Sequence, residues 1–394
     1  MPRILYRLFF VGSVGMTLLF LVMVWQEGGP EWQGYQAQYY RLLAKTTGKP
    51  ELACTPLEVK QAHLPEFDRT DRCMTCHVGV DNPKMVNAPQ PFRTHPDYTV
   101  HPVEEYGCTI CHGGQGMALT KTDAHGLVKH WERPLLPKEL VVASCAYCHQ
   151  NLQGLKGAER LVQAKQLFDK AGCIGCHALN SWGGPVSTEL SDVAGKPLDE
   201  FDFRYVEGPH AAYAWLYEHF KNPQRVTPGD AKNHVPPTAM PNYRLTDAEA
   251  MLLTAFVLGA EHPQVPAKLR VAGPPPAPAP QYATPVEQGR AVFQKYGCTA
   301  CHGYEGRGGV KNPNAMTGGE VPPLIYVAQG FTKDQLKALI RDGRYPTRAD
   351  PHGPTPPLWM PTWKDKIAPE ELDALVEYLV SLYPADAASA SERK

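Results

Sequence analysis

The chain has 394 residues, with 39 prolines, 34 glycines and only 43% hydrophobic residues. A chain of this length is expected to form two or three domains, and this composition favours long loops over large aliphatic cores. The formal net charge of −1 at pH 7 argues against binding to nucleic acid.

An uncharged apolar run over residues 8–26 lies near the N-terminus. As a helix, its 19 residues would be about 28 Å long, close to the hydrocarbon thickness of a bilayer. Arg3 and Arg7 precede the run and acidic residues follow it, so the positive-inside rule leaves the N-terminus in the cytoplasm. The sequence thus predicts a single-pass transmembrane anchor over 1–32 in a bacterial inner membrane, with the remaining domains in the periplasm.

The alternative is a cleaved signal peptide, which would have a shorter apolar region and a cleavage site between small residues. The segment that begins at Trp25 reads WQEGGPEWQGYQAQYY and contains no convincing site of this kind. We therefore expect the anchor to be retained.

The motif C-x-x-C-H occurs five times and takes up ten of the eleven cysteines. Chance would produce on the order of 0.01 such motifs in a chain of this composition. The motif cysteines are Cys73 and Cys76, Cys108 and Cys111, Cys145 and Cys148, Cys173 and Cys176, and Cys298 and Cys301, and the motif histidines are His77, His112, His149, His177 and His302.

Three chemistries use a C-x-x-C pair: zinc binding, thiol–disulfide exchange and covalent attachment of c-type haem. A tetrahedral zinc site usually needs two such pairs and has no use for a histidine fixed next to each pair. A dithiol enzyme needs one motif in an α/β fold, not five in loops rich in proline and glycine. In a c-type cytochrome both thiols form thioethers with haem, and the adjacent histidine ligates its iron. The motifs therefore predict five covalently attached c-type haems, with zinc as the remaining alternative.

The motif spacing divides the chain. The first cysteines of successive motifs are 35, 37, 28 and 125 residues apart, so the first three motifs have too little polypeptide between them for separate globular domains. We predict a loop-rich trihaem module over 33–155, single-haem domains over 156–262 and 286–384, a Pro/Ala linker over 263–285 and a tail over 385–394. An extended linker of this kind would let the last domain swing towards an electron acceptor.

The two single-haem segments repeat each other. Residues 163–177 (QAKQLFDKAGCIGCH) align with residues 288–302 (QGRAVFQKYGCTACH), and a helix leads into each motif. Each segment closes with an amphipathic helix, whose start is marked by a capping box of Thr246 with Glu249 or by Pro369. We therefore expect two similar helical domains in a mainly α-helical chain.

Met240 and Met360 precede these closing helices, each followed by proline. They lie 67 and 62 residues after the first cysteine of the preceding motif. In both features the two segments resemble class I cytochrome c domains. The resemblance implies that Met240 and Met360 are the distal iron ligands of the last two haems.

The region over 72–150 is similar to the multihaem region of membrane-anchored cytochromes that are attached to quinol-oxidising respiratory complexes. The pentahaem subunit of alternative complex III and the multihaem partners of bc-type complexes are the groups it resembles. The residues that carry this resemblance are 71–73 (DRC), 91–96 (PFRTHP), 111–116 (CHGGQG) and 130–132 (HWE).

The trihaem module contains no Met-Pro pair, but it contains five histidines outside the motifs. We predict bis-histidine ligation of its haems, with His95, His101 and His125 as distal ligands, His130 as the reserve and His63 after it. The later histidines outside the motifs are interpreted as structural or surface residues: His210, His219, His234, His262 and His352.

These ligands would fill both axial positions of all five irons, which favours electron transfer over catalysis on a small molecule. Methionine raises a haem potential relative to histidine. We therefore expect electrons to pass from a quinol-oxidising membrane complex through the bis-histidine haems to the His/Met haems, and on to a soluble cytochrome c or a terminal oxidase. The expected partners are the lipid bilayer and integral membrane subunits of a respiratory complex, and no nucleic acid. The alternatives are a multihaem enzyme acting on nitrite, hydroxylamine or peroxide, and the cytochrome subunit of a nitric oxide reductase or oxidase.

Overall fold

The structure is a computed structural model that describes residues 3–26, 29–96, 99–129, 131–233, 235–261, 265–273, 275 and 280–384. The chain divides into two compact units, Met1–Leu136 and Pro137–Lys394. Across the described residues helices dominate, and strands form only two short antiparallel pairs. The fold is therefore mainly α-helical and rich in loops, as predicted.

The first unit is built from short elements joined by long loops. Its described helices are α1 (Arg3–Gln26), α2 (Glu31–Thr47), α3 (Val103–Tyr106), α4 (Thr109–His112) and α5 (Lys121–Ala124). Strands β1 (Ala62–Leu64) and β2 (Arg69–Asp71) pair with Ala62 opposite Asp71. Single 3₁₀ turns cover Pro50–Cys54, Pro65–Phe67, Cys73–Thr75 and Pro83–Met85.

Helix α1 is the apolar N-terminal helix that the sequence predicts. Its segment Arg3–Val24 is long and apolar enough to cross a membrane, and none of it is buried inside the structure. A signal sequence near an N-terminus has the same length and composition. The helix is therefore consistent with a membrane anchor or with a signal sequence.

The packing of α2 positions the first C-x-x-C-H motif. The rings of Tyr39 and Phe92 lie 6.0 Å apart in a small core that also holds Met85. Gln36, which is fully buried in α2, donates from Nε2 to the backbone carbonyl of Thr75 at 3.0 Å. Because a buried amide that loses its partner is costly, this hydrogen bond holds the motif against α2.

The second unit contains most of the helices. They are α6 (Cys145–Cys148), α7 (Glu159–Ala171), α8 (Ala212–Lys221), α9 (Pro223–Val226), α10 (Asp247–Gly259), α11 (Pro285–Lys295), α12 (Thr299–His302), α13 (Val327–Gly330), α14 (Lys333–Asp342) and α15 (Pro369–Ser381). Strands β3 (Ala178–Leu179) and β4 (Trp182–Gly183) form a short hairpin. The 3₁₀ turns are Lys138–Ser144, Cys173–Gly175, Val193–Gly195, Leu198–Glu200, Ala267–Leu269 and Tyr304–Gly306.

The two repeats of the sequence share one arrangement of helices. In the first repeat α7 packs on α10, and in the second α11 packs on α15. The predicted capping box of Thr246 and Glu249 is present at the start of α10, and α15 begins with Pro369. These helix starts are confirmed because they depend on hydrogen bonds within one turn of the chain.

Helices α11 and α15 are in backbone contact at Gly289. A Cβ atom on Gly289 would lie 1.9 Å from the carbonyl oxygen of Ala374. Around this crossing the core includes Phe293, Leu375 and Leu379, all at most 5% exposed. Glycine at position 289 therefore sets the distance between the helices that enclose the last motif.

The third motif belongs to the second unit rather than to the first. Helix α10 covers the turn Lys138–Ser144, in which Leu140 is 1% exposed. Tyr147, inside the motif, donates from its hydroxyl to the carbonyl of Leu258 at 3.4 Å. The sequence predicts a trihaem module over 33–155, whereas the second compact unit begins at Pro137 and α10 supplies the apolar surface that covers the third motif.

Part of the predicted linker is attached to this third motif. The Val271 N–H donates to the carbonyl of Cys148 at 2.8 Å, and the Gln150 N–H donates to the carbonyl of Val271 at 3.1 Å. Val265 is 4% exposed. The Pro/Ala composition predicts an extended linker, but its described residues 265–273 are held by burial and backbone hydrogen bonds. Residues 262–264, 274 and 276–279 of this region, and the predicted tail over 385–394, lie outside the described residues.

The crossing at Gly289 gives a prediction for stability. We expect Gly289→Ala to destabilise the protein by about 1–3 kcal/mol, because the added methyl group overlaps the Ala374 carbonyl and forces the helices apart. Chemical denaturation of the haem-loaded protein measures the loss. The matched control is Gly330→Ala, where a Cβ atom would have nothing within 4 Å. Equal stability of the two variants would contradict the prediction.

Candidate haem centres

A cavity of about 520 Å³ lies in the last repeat. The motif residue His302 and the predicted ligand Met360 both line it, together with apolar side chains that include Leu336, Ile340 and Trp363. Two side chains able to ligate iron inside mostly apolar walls suit a flat macrocycle held by one ligand on each face. The residues present therefore fit a haem at this site.

The last two motif histidines are oriented by backbone carbonyls. Nδ1 of His302 lies 3.0 Å from the carbonyl oxygen of Pro322, and Nδ1 of His177 lies 2.7 Å from that of Thr188. Because a carbonyl only accepts, Nδ1 carries the proton and the Nε2 lone pair is available for a metal. Burial lowers the pKa of both histidines, although the backbone hydrogen bond opposes it. The neutral imidazole favoured in this way is the form that ligates metals.

Met240, the predicted ligand in the first repeat, lies beside a histidine. Nε2 of His219, on α8, is 3.1 Å from Sδ of Met240. The ring of Trp215 stacks on the imidazole with centres 4.6 Å apart. Burial and, secondly, nearby His177 lower the pKa of His219 to about 4. The sequence alone favours a structural or surface role for His219, but the structure places this residue next to a predicted iron ligand.

A comparison of the two repeats contains the signal for His219. The buried residues Leu216 and Phe220 of α8 correspond in spacing to buried Leu336 and Ile340 of α14. In this alignment of the two helices His219 corresponds to Leu339, which lines the cavity in the last repeat. A histidine thus replaces a leucine at a position that faces the macrocycle site.

Two motif histidines of the first unit face a second histidine. The ring centres of His77 and His125 are 6.3 Å apart, and those of His95 and His112 are 6.1 Å apart. Burial lowers the pKa of His77, and His125 and His112 add to this effect. Burial and then His95 lower the pKa of His112. Burial also lowers the pKa of His125, so the neutral imidazole is favoured in His77, His112 and His125.

The other predicted ligands of the front haems have different surroundings. His101 packs edge-on against Tyr106 with ring centres 5.2 Å apart. His63 is exposed, with Nδ1 3.2 Å from the Thr70 hydroxyl. His130 lies outside the described residues. That His101, His130 or His63 ligates a haem iron therefore stays a prediction.

Asp71 connects the first two motifs. Asp71 is 1% exposed and lies two residues before Cys73, the first cysteine of the first motif. Its Oδ2 accepts from the N–H of Cys108 at 2.6 Å and from the N–H of Thr109 at 2.8 Å, and Oδ1 accepts from the Thr109 hydroxyl at 2.8 Å. Asp71 therefore holds the start of the second motif, a role that no local sequence pattern indicates, because the carboxylate and the two N–H groups are 37 and 38 residues apart.

The last two motifs are in contact with each other. Sγ of Cys176 and Sγ of Cys301 are 3.6 Å apart. A Cβ atom on Gly175 would lie 2.2 Å from the carbonyl oxygen of Gly297, so the backbones meet without side chains between them. The rings of Trp182 and Tyr296 are 5.5 Å apart at the same contact. The expectation of a last domain that swings on its linker is therefore wrong, because the two repeats pack together at their motifs.

The fold and the motifs are those of a helical protein that attaches haem covalently through C-x-x-C-H. The family model for cytochrome c matches residues 161–261 and 286–383, which are the two repeats and together about half of the chain. The chain belongs to the cytochrome c family, which implies covalently bound c-type haem and a role in electron transfer. No curated protein and no solved structure matches the chain.

The position of Asp71 gives a second prediction. We expect Asp71→Ala to lower the unfolding free energy by about 2–3 kcal/mol, because two buried N–H groups of the second motif lose their charged acceptor. Denaturant titration measures this loss, and denaturing mass spectrometry measures haem attachment, which we expect to fall at Cys108 and Cys111. The control is Asp81→Ala at an exposed position, where we expect a change within about 0.5 kcal/mol. Full haem attachment and unchanged stability in Asp71→Ala would refute the role of this carboxylate.

Proposed function

We propose that this chain is a membrane-anchored pentahaem c-type cytochrome of the bacterial periplasm. It relays electrons from a quinol-oxidising membrane complex to a soluble cytochrome c or a terminal oxidase. The observation that carries the proposal is the arrangement of motif histidines, several of which face a second side chain able to ligate iron. The five motifs, the apolar helix α1 and the membership of the cytochrome c family support the same function.

The histidine pairs of the first unit support bis-histidine ligation. A metal–imidazole bond is about 2.0–2.1 Å long, and the ring centre lies roughly 1.2 Å behind the bonded nitrogen, so two imidazoles on opposite sides of one metal have centres roughly 6.4 Å apart. The observed spacings of 6.3 Å for His77 with His125 and 6.1 Å for His95 with His112 agree with this value. His125 and His95 are therefore the proposed distal ligands of the first and second haems.

The second unit supports a group of haems at higher potential. His302 and Met360 line one cavity, and the first repeat has His177 and Met240 in corresponding positions. A bound haem supplies a one-electron couple whose potential is higher with a thioether ligand than with a second imidazole. The side chains of this chain would thus set a potential that rises from the front motifs to the last two.

Other residues of this chain orient the motif imidazoles, line the cavity and bring two motifs into contact. The backbone carbonyls of Pro322 and Thr188 hold the two motif imidazoles in one tautomer, which fixes the direction of the ligating nitrogen. With haem bound, the apolar cavity walls would exclude water from most of the macrocycle, which would raise the cost of an extra charge there and so influence the haem potential. The contact between Cys176 and Cys301 would bring the attachment edges of two haems together, which favours rapid electron transfer between them.

Axial ligation at both faces leads to a prediction about ligand binding. We expect the reduced protein to bind clearly less than one carbon monoxide per five haems, because most or all irons already carry two protein ligands. Difference spectroscopy measures the binding, and denaturing mass spectrometry verifies that the sample carries five covalent haems. Stoichiometric binding at one haem together with turnover of nitrite or peroxide would favour the enzyme alternative instead.

The assignment of Met360 leads to a prediction about potentials. We expect Met360→His to lower the potential of the last haem by on the order of 0.1–0.3 V, a part of the roughly 0.8 V range that axial ligands span. Spectroelectrochemical titration measures the shift, and the weak ferric absorption at roughly 695 nm should decrease as a thioether–iron bond is lost. The control is Met316→His, at another residue that lines the same cavity but is 64% exposed. The assignment fails if the control lowers the potential and Met360→His does not.

A further inference from the structure

His219 has an unusual environment for a histidine with only a packing role. Its ring is covered by Trp215 in a stacked arrangement, with ring centres 4.6 Å apart and planes 10° apart. Its Nε2 is 3.1 Å from Sδ of Met240. Its Nδ1 is buried and has no hydrogen-bond partner among the residues that the structure describes.

The buried Nδ1 has an energetic cost. A buried polar atom that lacks a hydrogen-bond partner destabilises a fold, because it has lost its hydrogen bonds to water without replacement. The other repeat avoids this cost because Leu339 occupies the corresponding position and lines the cavity there. Packing alone therefore does not require a histidine at position 219, and its nitrogen atoms need another explanation.

The two motif histidines of the repeats differ from His219 in one respect. Their Nδ1 atoms donate to carbonyls, which fixes the tautomer. His219 lacks such a bond in the described structure, so its Nε2 can either donate a hydrogen bond to the Met240 sulfur or present its lone pair to a metal. Imidazole nitrogen and thioether sulfur are both iron ligands in cytochromes.

We propose that the haem bound at Cys173 and Cys176 has two distal ligands available, Sδ of Met240 and Nε2 of His219. The inference rests on the proposed function, since it assumes a haem ligated by His177. With the sulfur on the iron, His219 donates a hydrogen bond to it. When the sulfur is not on the iron, Nε2 of His219, only 3.1 Å from the sulfur position, takes its place.

This arrangement would make the two repeats respond differently to the loss of methionine. In the first repeat the iron would keep two protein ligands and acquire the bis-histidine ligation of the front haems, with a lower potential. In the last repeat Leu339 has no atom that can ligate iron, so loss of Met360 would leave the distal position open. The difference can be measured without any assay of electron transfer.

The experiment compares carbon monoxide binding by four full-length, haem-loaded variants: Met240→Leu, Met360→Leu, His219→Leu, and the double variant Met240→Leu with His219→Leu. We expect Met240→Leu to bind no more carbon monoxide than the unchanged protein and to keep a low-spin ferric spectrum. The double variant and Met360→Leu should each bind one additional equivalent. His219→Leu, which copies Leu339, should bind no additional carbon monoxide, because Met240 still ligates the iron, and denaturing mass spectrometry should find five haems in all four variants.

Two results would overturn the inference. One is an additional equivalent of carbon monoxide bound by Met240→Leu itself, since His219 would then not replace the sulfur. The other is a double variant that still binds none, since a residue other than His219 would then ligate the iron. A failure of the proposed function would give a different result from a failure of this inference. If the proposed function is wrong, Met360→Leu, a variant that does not involve His219, would bind no additional carbon monoxide.

Discussion

The proposed haem sites depend on one geometric constraint: a motif histidine has to face a second ligand across the thickness of a flat macrocycle. Two imidazoles that meet this constraint have centres about 6 Å apart, and the pairs His77 with His125 and His95 with His112 have this spacing. In the last repeat His302 and Met360 line the same cavity. Much of the remaining polypeptide serves to bring these side chains to the right distance.

The chain satisfies this constraint with little aliphatic core. In the first unit, single buried polar groups do what a larger core does elsewhere: Gln36 holds the first motif and Asp71 holds the second. Such groups are effective because a buried hydrogen-bonding partner is expensive to lose. In the second unit, glycine takes this role. Gly289 lets two helices touch, and Gly175 with Gly297 lets two motifs touch.

The contact between the last two motifs means that electron transfer within the second unit does not require movement of a tethered domain. A tethered domain would search for its acceptor, whereas a packed pair of domains presents both haem sites as one body. The asymmetry between His219 and Leu339 then distinguishes two otherwise similar repeats, because Met240 has an imidazole nitrogen 3.1 Å from its sulfur and the position that corresponds to His219 in the other repeat is a leucine. A single side chain could in this way give the two haems different responses to the same chemical change.

The sequence by itself determined the features that depend on neighbouring residues: the five motifs, the apolar N-terminal helix, the helix starts at Thr246 and Pro369, and the repeat with its two methionines. It also named His95 and His125 among five front histidines, but it could not pair them with motifs. Only the tertiary structure decided these pairings, the position of the third motif against α10, the attachment of Val271 to Cys148, and the meeting of His219 with Met240. The physical reason is that these contacts join residues 17 to 123 positions apart in the chain, where loop conformation and the packing of distant helices set the distance and local patterns carry no information about it.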